Sequence, residues 1–477
     1  MPTAISRLRM LSPWRASAGC NMLYRRRRSS WRGNSPVPTK PPIEPRGRRE
    51  PMVTNSQGVQ DRALMTRILW RLMPLLVLSL VVSTIDKSNV GFAKLGMLHD
   101  LGFTEAVFAF GSSLFFVGYV LFEIPSAMAN YRYGARIWFA RIMVTWAITT
   151  LLLTFTQSPA AFYTLRFLLG ASEAGLYPAL IFYLTLWFPE SERPRAMGVL
   201  TLGSAFGNGF SAIISGALLD LNGQFGLTGW QWIFIVTGLM PLVTTVLVLM
   251  YLPNRPDDAR FLNAEEKQRV KALLGDRPDT GHGRNALASL LDPRVIGFGL
   301  MYGIFLGSVY GISYWMPTVL RDFGVSGSVN GIIIGIPWAL DAILLMIIMP
   351  RLRSQKAIML ALIVLSVIAI LAFGAAASWG GLALKGAALL VGIPAISIGI
   401  ACYWTIPVRY FSGAQAAASI GAISMIGNMG GVATLNLMPA LAAHTGSPST
   451  ALWVPSIGMA VIGIWAGWVS FKTRKPR

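Results

Sequence analysis

Long apolar segments separated by short polar ones fill most of the chain from about residue 68 onward. A membrane-spanning helix needs about 20 mostly apolar residues. The short alternating segments typical of a membrane β-barrel are not found. The pattern therefore predicts twelve transmembrane helices, at residues 68–93, 106–128, 137–156, 160–187, 196–219, 230–252, 294–316, 328–350, 357–377, 382–407, 414–441 and 450–471.

A polar stretch, residues 253–293, separates the sixth and seventh predicted spans. Within it, Asn263 precedes two glutamates, which is typical of a helix start, and an apolar stripe follows at Val270, Leu273 and Leu274. The chain is thus predicted to be an all-α integral membrane protein with two six-helix bundles around a central cavity. The predicted regions are a tail (1–64), a first bundle (65–252), a linker (253–293), a second bundle (294–472) and a short tail (473–477).

Composition and charge support this class and set an orientation. Only 13% of the 477 residues are charged, against about 25% in an average soluble domain. The net charge of +21 lies largely in the N-terminal tail and in connections on one side of the predicted bundles. A basic excess is typical of the cytoplasmic side, so both termini are expected there. We therefore do not attribute the charge to nucleic-acid binding.

The basic N-terminal tail has three interpretations. Its paired arginines resemble a twin-arginine signal, but no apolar segment follows within reach. Its richness in Arg and Ser roughly fits a mitochondrial transit peptide. We favour the third interpretation, in which translation begins at Met52. The tail is expected to be disordered in each case.

Four ionisable residues lie well inside predicted spans: Asp86 and Lys87 in the first, Arg166 and Glu173 in the fourth. A charged side chain near the bilayer centre costs about 2.5–3.5 kcal/mol on insertion scales. Consecutive residues on a helix point about 100° apart, so Asp86 and Lys87 are expected to serve different surfaces. Arg166 and Glu173, seven residues apart, share one helix face and lie about 10 Å apart along it.

These residue types point to proton-coupled movement of an anion. Arginine and lysine bind carboxylates. An acid in a low-dielectric site binds and releases protons near neutral pH. The alternative is a buried, static network of ion pairs that holds helices together.

Other intramembrane residues give weaker signals. Glu123 lies towards the end of the second span and is interpreted as a loop anchor. Asp341, alone in the eighth span, is either a second proton site or a hydrogen-bond partner between helices. Tyr119 and Trp404 line the cavity or pack in the core, and Ser424 and Asn428 are expected to make polar contacts opposite.

Several motifs together carry a family resemblance from about Met65 to the end. They are DKSNVGFA (86–93), FEIPSAMANYRYGAR (122–136), RFLLGASEAGLYPAL (166–180), WFPESERPRAMG (187–198), LPNRPDDARFL (252–262) and YWTIPVRYFSGAQAAASIGAISMIGNMGG (403–431). The chain resembles the major facilitator superfamily and, within it, the anion:cation symporter family of bacterial organic-acid permeases.

The resemblance implies alternating access by two rocking bundles. It implies that Lys87 and Arg166 hold a substrate carboxylate, with Tyr119 and Trp404 touching the substrate. It also implies that Asp86 and Glu173 couple transport to protons. Two departures are visible: Lys87 replaces the family's usual arginine, and Tyr131 replaces the acid of a cytoplasmic loop motif.

We therefore expect a proton-driven importer of a sugar acid, dicarboxylate or aromatic acid in a bacterial inner membrane. The expected partners are the organic anion, protons and the lipid bilayer, with no metal, cofactor or nucleic acid, and a monomer is expected to suffice. A non-transporting membrane sensor and a uniporter or exchanger of the same anions stay as alternatives. An enzyme is not expected, because no nucleophile–base set or metal-ligand set lies at membrane depth.

Overall fold

The structure is a computed structural model and describes residues 54–275, 291–352, 354–411 and 414–474. Its helices are α1 Thr54–Asp100, α2 Glu105–Tyr133, α3 Ala135–Leu153, α4 Pro159–Glu173, α5 Leu176–Trp187, α6 Arg193–Leu219, α7 Gly229–Tyr251, α8 Ala264–Leu274, α9 Pro293–Arg321, α10 Gly327–Ile348, α11 Gln355–Ser378, α12 Leu382–Tyr410, α13 Ala414–Thr445 and α14 Trp453–Arg474.

Twelve helical segments within the described residues are long and apolar enough to cross a membrane, as predicted. All backbone polar groups of a lipid-exposed span must be satisfied internally, which is why the apolar segments fold as helices. The fourth span is shared by α4 and α5. Each of the other described spans has one α-helix, and the eighth and the last also include a short 3-10 helix. The expected disorder of the N-terminal tail is wrong for residues 54–64, which belong to α1. Residues 1–53 of the tail lie outside the described ranges.

The first helix starts at Thr54, before the predicted boundary at residue 65, because its polar beginning packs on the linker. Asp61 pairs with Arg269 of α8, and Arg67 pairs with Glu266. The hydrogen bond from Arg67 lowers the pKa of the Glu266 carboxyl, which lies outside the membrane. The predicted start of α8 is confirmed, since the Glu266 N–H donates to the Asn263 side chain at 2.8 Å.

The fourth span differs from its prediction as one continuous helix over residues 160–187. The helix stops at Glu173, Ala174 turns to an extended backbone, and Gly175 adopts a left-handed conformation with φ of 87°. A Cβ at Gly175 would lie 2.3 Å from Ser126 Oγ on α2, so only glycine fits this crossing. Glu173, which is fully buried, is the last residue of α4 before this break.

Within the described residues, helices α1–α7 form one half and α9–α14 the other. The helix pairs that join the halves include α6 with α10, α2 with α13, and α1 with α9. We call the end of the molecule where α1 finishes the far end, and the opposite end the linker end. At the far end, a Cβ at Gly216 on α6 would lie 2.2 Å from the Gly327 carbonyl oxygen on α10. The two backbones therefore touch directly there.

Polar contacts reinforce this closure, and we call them the far-end seam. Asp220, just after α6, accepts hydrogen bonds from the Gly327 and Ser328 N–H groups at 2.8 Å and from Ser328 Oγ at 2.6 Å. Burial alone would raise the pKa of Asp220, but these three donors bring the net shift below the usual range. Arg321 donates across the halves to the Leu95 carbonyl at 2.6 Å.

Candidate functional site

The ammonium group of Lys87 is held by an acid from another helix of the same half. Its Nζ lies 2.5 Å from Glu173 Oε1 and 2.9 Å from Ser83 Oγ, one turn earlier on α1. Ser83 in turn donates to the same Glu173 oxygen. The other oxygen, Glu173 Oε2, is buried without a hydrogen-bond partner among the described residues. Lys87 keeps 15% of its side chain exposed, whereas Glu173 is fully buried.

Asp86 points elsewhere, as the helical spacing predicted. Its Oδ1 accepts a hydrogen bond from Thr150 Oγ1 on α3 at 2.9 Å. Its Oδ2 is buried and has no partner within the described part of the chain. Asp86 therefore lies behind the Lys87–Glu173 pair, against α3, and not beside the lysine that follows it in sequence.

Arg166 on α4 is fully buried and only partly satisfied. One terminal nitrogen donates to the Tyr314 hydroxyl on α9 at 3.2 Å, across the two halves. The guanidinium carbon lies 4.9 Å from the centre of the Phe115 ring. The Nε and Nη1 groups are buried without partners among the described residues. A buried charge is costly until it is paired, so a guanidinium with unpaired nitrogens at this depth has the chemistry to bind an anion.

The static-network alternative gains one of its expected contacts, the Lys87–Glu173 ion pair. It does not account for Arg166, which lies seven residues from Glu173 on the same helix but forms no salt bridge with a described residue. The cluster therefore combines the Lys87–Glu173 ion pair with Arg166, a cation that has no acidic partner among the described residues.

The two predicted aromatic residues, Tyr119 and Trp404, differ in what they contact. Lys87 Nζ lies 5.1 Å from the centre of the Tyr119 ring on α2. Trp404 on α12 packs edge-on against Tyr302 of α9, with ring centres 4.8 Å apart. Tyr119 thus lies against the Lys87 ammonium group. Trp404 instead packs with Tyr302 and Tyr403, and we call these three residues of the second half the aromatic wall.

The two predicted polar residues of α13 are not brought into contact with the charged side chains. Asn428 donates to the Ser424 carbonyl of its own helix at 3.1 Å. Among the described residues, no hydrogen bond joins Ser424 or Asn428 to Lys87 or Arg166. Their expected role as substrate contacts stays a prediction.

The sequence did not reveal the residues of the second half that contact the site. It also led to the interpretation of Glu123 as a loop anchor near the end of the second span. Tyr314 and Tyr302 were not singled out, although both lie in the apolar run that forms α9. Glu123 lies well before the end of α2, is only 7% exposed, and interacts electrostatically with Lys87. The signal available in the sequence was its position one helical turn after Tyr119.

Asp341 of α10 stands apart from these residues. It is fully buried, it faces Ser397 of α12, and neither oxygen has a partner at normal hydrogen-bond distance within the described residues. The arrangement fits an acid between helices of the second half and does not distinguish the two predicted roles.

Comparison with known proteins gives one consistent family. The model of the Major Facilitator Superfamily matches residues 76–435. A protein of Agrobacterium vitis named "Putative tartrate transporter" is 35% identical, over 81% of this chain and 90% of its own. A quinolone resistance transporter of Acinetobacter baumannii is 34% identical, over 84% and 93%. The solved inward-open xylose transporter of E. coli has a TM-score of 0.65 at 14% identity, over 84% and 96%, and so shows the same fold.

Proposed function

This chain belongs to the major facilitator superfamily, and we propose that it imports a small organic carboxylate together with protons. Transport as the general activity rests on the family and on relatives named as transporters. The finer proposal, an anion with protons, rests on the charged residues that the helices bring together between the two halves.

The observation that carries the proposal is the buried, half-satisfied guanidinium of Arg166. Two of its three nitrogens lack partners among the described residues, and the third donates to a neutral tyrosine of the other half. A carboxylate with two oxygens matches a guanidinium fork in shape and charge. Binding at either unpaired nitrogen would compensate the buried charge and would pull together residues from both halves.

Proton coupling follows from the Lys87–Glu173 ion pair. While Glu173 is ionised, it occupies Lys87, and a substrate carboxylate has to compete with it. A proton on Glu173 removes that charge and frees the ammonium for the substrate. Asp86, held by Thr150 with one oxygen unpaired, is a second place for a proton behind the pair. The substrate and the proton thereby favour each other's binding, which is the requirement for symport.

Alternating access uses the contact between the two halves. In the present conformation the far end is closed by the Gly216–Gly327 contact and by the hydrogen bonds of Asp220. The basic residues near the linker support a cytoplasmic position for the linker end. The far end would then face outward in a bacterial inner membrane. Import then requires the far-end seam to open and close once in each cycle.

The substrate class is an organic acid that fits between Arg166 and the aromatic wall. A relative named for tartrate supports a small carboxylate. Tyr119 and Trp404 would flank the carbon skeleton, and Ser424 and Asn428 would approach from α13. A relative named for quinolone resistance makes drug export the second candidate, but a cationic site built on Lys87 and Arg166 favours anions.

The proposal is tested with the full chain purified into proteoliposomes that carry a pH gradient. Uptake of labelled gluconate, glucarate, tartrate and 4-hydroxyphenylacetate is measured with and without a protonophore. We expect at least one acid to accumulate, and the protonophore to abolish its accumulation. Arg166→Gln should lower that uptake about 100-fold, because removing one partner of a buried charged contact costs about 3 kcal/mol.

The matched control is Arg260→Gln, the same substitution on an exposed arginine of the linker region. It should transport like the unmodified protein. Accumulation that ignores the protonophore would indicate a uniporter or exchanger. Binding of an acid without any uptake would favour the sensor. Uptake unaffected by Arg166→Gln would remove the proposed anion site.

A further inference from the structure

Glu123 is a buried acid that the proposed transport cycle does not use. It lies on α2 one helical turn after Tyr119, so the two side chains share a face. It is 7% exposed, and its Oε2 is buried without a hydrogen-bond partner within the described residues. Burying a carboxyl oxygen without a hydrogen-bond partner costs free energy, unless a ligand or a proton supplies the missing interaction.

The groups that face Glu123 come from three helices. Lys87 of α1, Tyr119 of α2, and Tyr302 and Tyr310 of α9 interact with it electrostatically. The same face of α2 packs on α9, since the Phe116 and Tyr310 rings are 4.7 Å apart. Tyr302 in turn contacts Trp404. Glu123 therefore lies between the charged residues of the first half and the aromatic wall of the second.

The charge of Glu123 limits how many carboxylates the substrate can carry, and this step rests on the proposed function. The described site holds two cations, Lys87 and Arg166, and three acids, Asp86, Glu173 and Glu123. When Asp86 and Glu173 carry protons and Glu123 stays ionised, the site has a net charge of +1. A monocarboxylate makes it neutral. A dicarboxylate leaves one negative charge uncompensated in a low-dielectric site, which is costly.

We propose that Glu123 makes the site selective for hydroxylated monocarboxylates over dicarboxylates. Its free oxygen accepts hydrogen bonds from hydroxyl groups on the substrate, while its charge repels a second carboxylate at the same end. Lys87 and Arg166 hold the first carboxylate, so the substrate carbon chain runs from the cations past Tyr119 to Glu123. Sugar acids with one carboxylate have this pattern of groups.

The test uses two acids that differ at a single carbon. Gluconate ends in a CH₂OH group, whereas glucarate has a second carboxylate there. Proteoliposomes containing the full chain take up each acid at pH 8, and the ratio of the initial rates is compared between variants. We expect the unmodified protein to prefer gluconate by about tenfold or more, since like charges brought together cost several kcal/mol. Glu123→Gln should raise the relative rate for glucarate about tenfold.

Two further variants separate selectivity from folding. Glu123→Asp keeps the charge and should keep the preference for gluconate. Asp341→Asn removes a buried acid elsewhere in the molecule and should leave the ratio unchanged. In the unmodified protein, lowering the pH from 8 to 6 should raise the relative rate for glucarate, because a proton on Glu123 removes the repulsion. This rise should be absent in Glu123→Gln.

Equal uptake of both acids by the unmodified protein at pH 8 would overturn the inference. So would a ratio that Glu123→Gln leaves unchanged while gluconate is still transported. If neither acid is taken up, the inference is wrong, because hydroxylated monocarboxylates are then not the substrates. The proposed function would still stand if another acid of the panel accumulated with protons, so the two failures are distinguishable.

Discussion

The far-end seam and the central charged residues differ in how completely their polar groups are hydrogen-bonded. In the seam, each charged group has partners: Asp220 accepts from three donors, and Arg321 donates to a carbonyl of the other half. Lys94 nearby pairs with Glu105 at 3.1 Å and lies 4.1 Å from the centre of the Trp315 ring. Charged groups that all have hydrogen-bond or ion-pair partners stabilise one arrangement of the two halves.

In the centre, several charged groups are left incomplete. Arg166 has two unpaired donors, and Asp86, Glu173 and Glu123 each have a buried oxygen without a partner among the described residues. Buried polar groups are normally hydrogen-bonded, so each unpaired one requires an explanation. The seam thus has the contacts that close the molecule, whereas the centre has unpaired groups that, under the proposed function, a ligand and protons would complete.

The largest effect is expected from Glu173→Gln, which removes the acid that holds Lys87. The amide cannot take up or release a proton, so uptake against a gradient should fall about 100-fold or more, in line with loss of a buried charged partner. Exchange of labelled for unlabelled substrate across the membrane should persist, because Arg166 and Lys87 still bind the carboxylate. Proteoliposome uptake and counterflow measure the two activities separately.

The control for this experiment is Glu190→Gln, an acid whose side chain is 92% exposed. It should change neither activity. Equal loss of uptake and exchange in Glu173→Gln would mean that Glu173 acts in binding or folding and not in coupling. Full uptake against the gradient would contradict the proton role altogether.

A smaller effect is expected from Asp220→Asn in the seam. The amide keeps one acceptor oxygen and loses the charge, which should weaken the exposed seam by about 1 kcal/mol and open the far end about fivefold more often. Because the folded pKa of Asp220 is lowered, its carboxylate stabilises the seam above the unfolded pKa of about 3.9. That stabilisation is lost only as the pH falls through the still lower folded pKa, so the unmodified seam should not change between pH 5 and 8.

Opening is read from the labelling rate of a cysteine placed at Ser112, which lines a small cavity between the halves near Trp315. The background lacks the native thiols through Cys20→Ser and Cys402→Ala. The control is Asp322→Asn, an exposed acid at the same end. Unchanged labelling in Asp220→Asn would mean that the charge of Asp220 is not needed to keep the far end closed.

The fold was largely predictable, because helix length and apolar composition decide which segments cross a membrane. The linker helix was also predictable from its capping residues around Asn263. The break in the fourth span was not. It depends on Gly175 taking a left-handed conformation where α2 comes too close for any side chain, and that crossing is a property of the packed molecule.

The site was predictable only within the first half. The separation of Asp86 from Lys87 follows from helical geometry, and the structure confirms it. The contact between Arg166 and Tyr314 joins residues 148 positions apart, and no local pattern signals it. Glu123 was interpreted as a loop anchor from its distance to the end of α2 alone. Its surroundings depend on the tyrosines of α9, which the sequence does not show to face it.

The smallest effect is expected from Asp341→Asn, which tests whether any unpaired buried acid in this fold serves transport. Asp341 resembles the central acids in burial, but within the described residues it has neither a cation nor a hydrogen-bond donor at normal distance. Without a charge to respond to its proton, it has no means of coupling protons to the substrate. Uptake should therefore stay within about twofold, and thermal stability should be unchanged or higher, because replacing a buried acid that lacks partners relieves its desolvation. Loss of uptake at an unchanged melting temperature would instead make Asp341 a second proton site, and the centre would no longer be the sole place where unpaired acids matter.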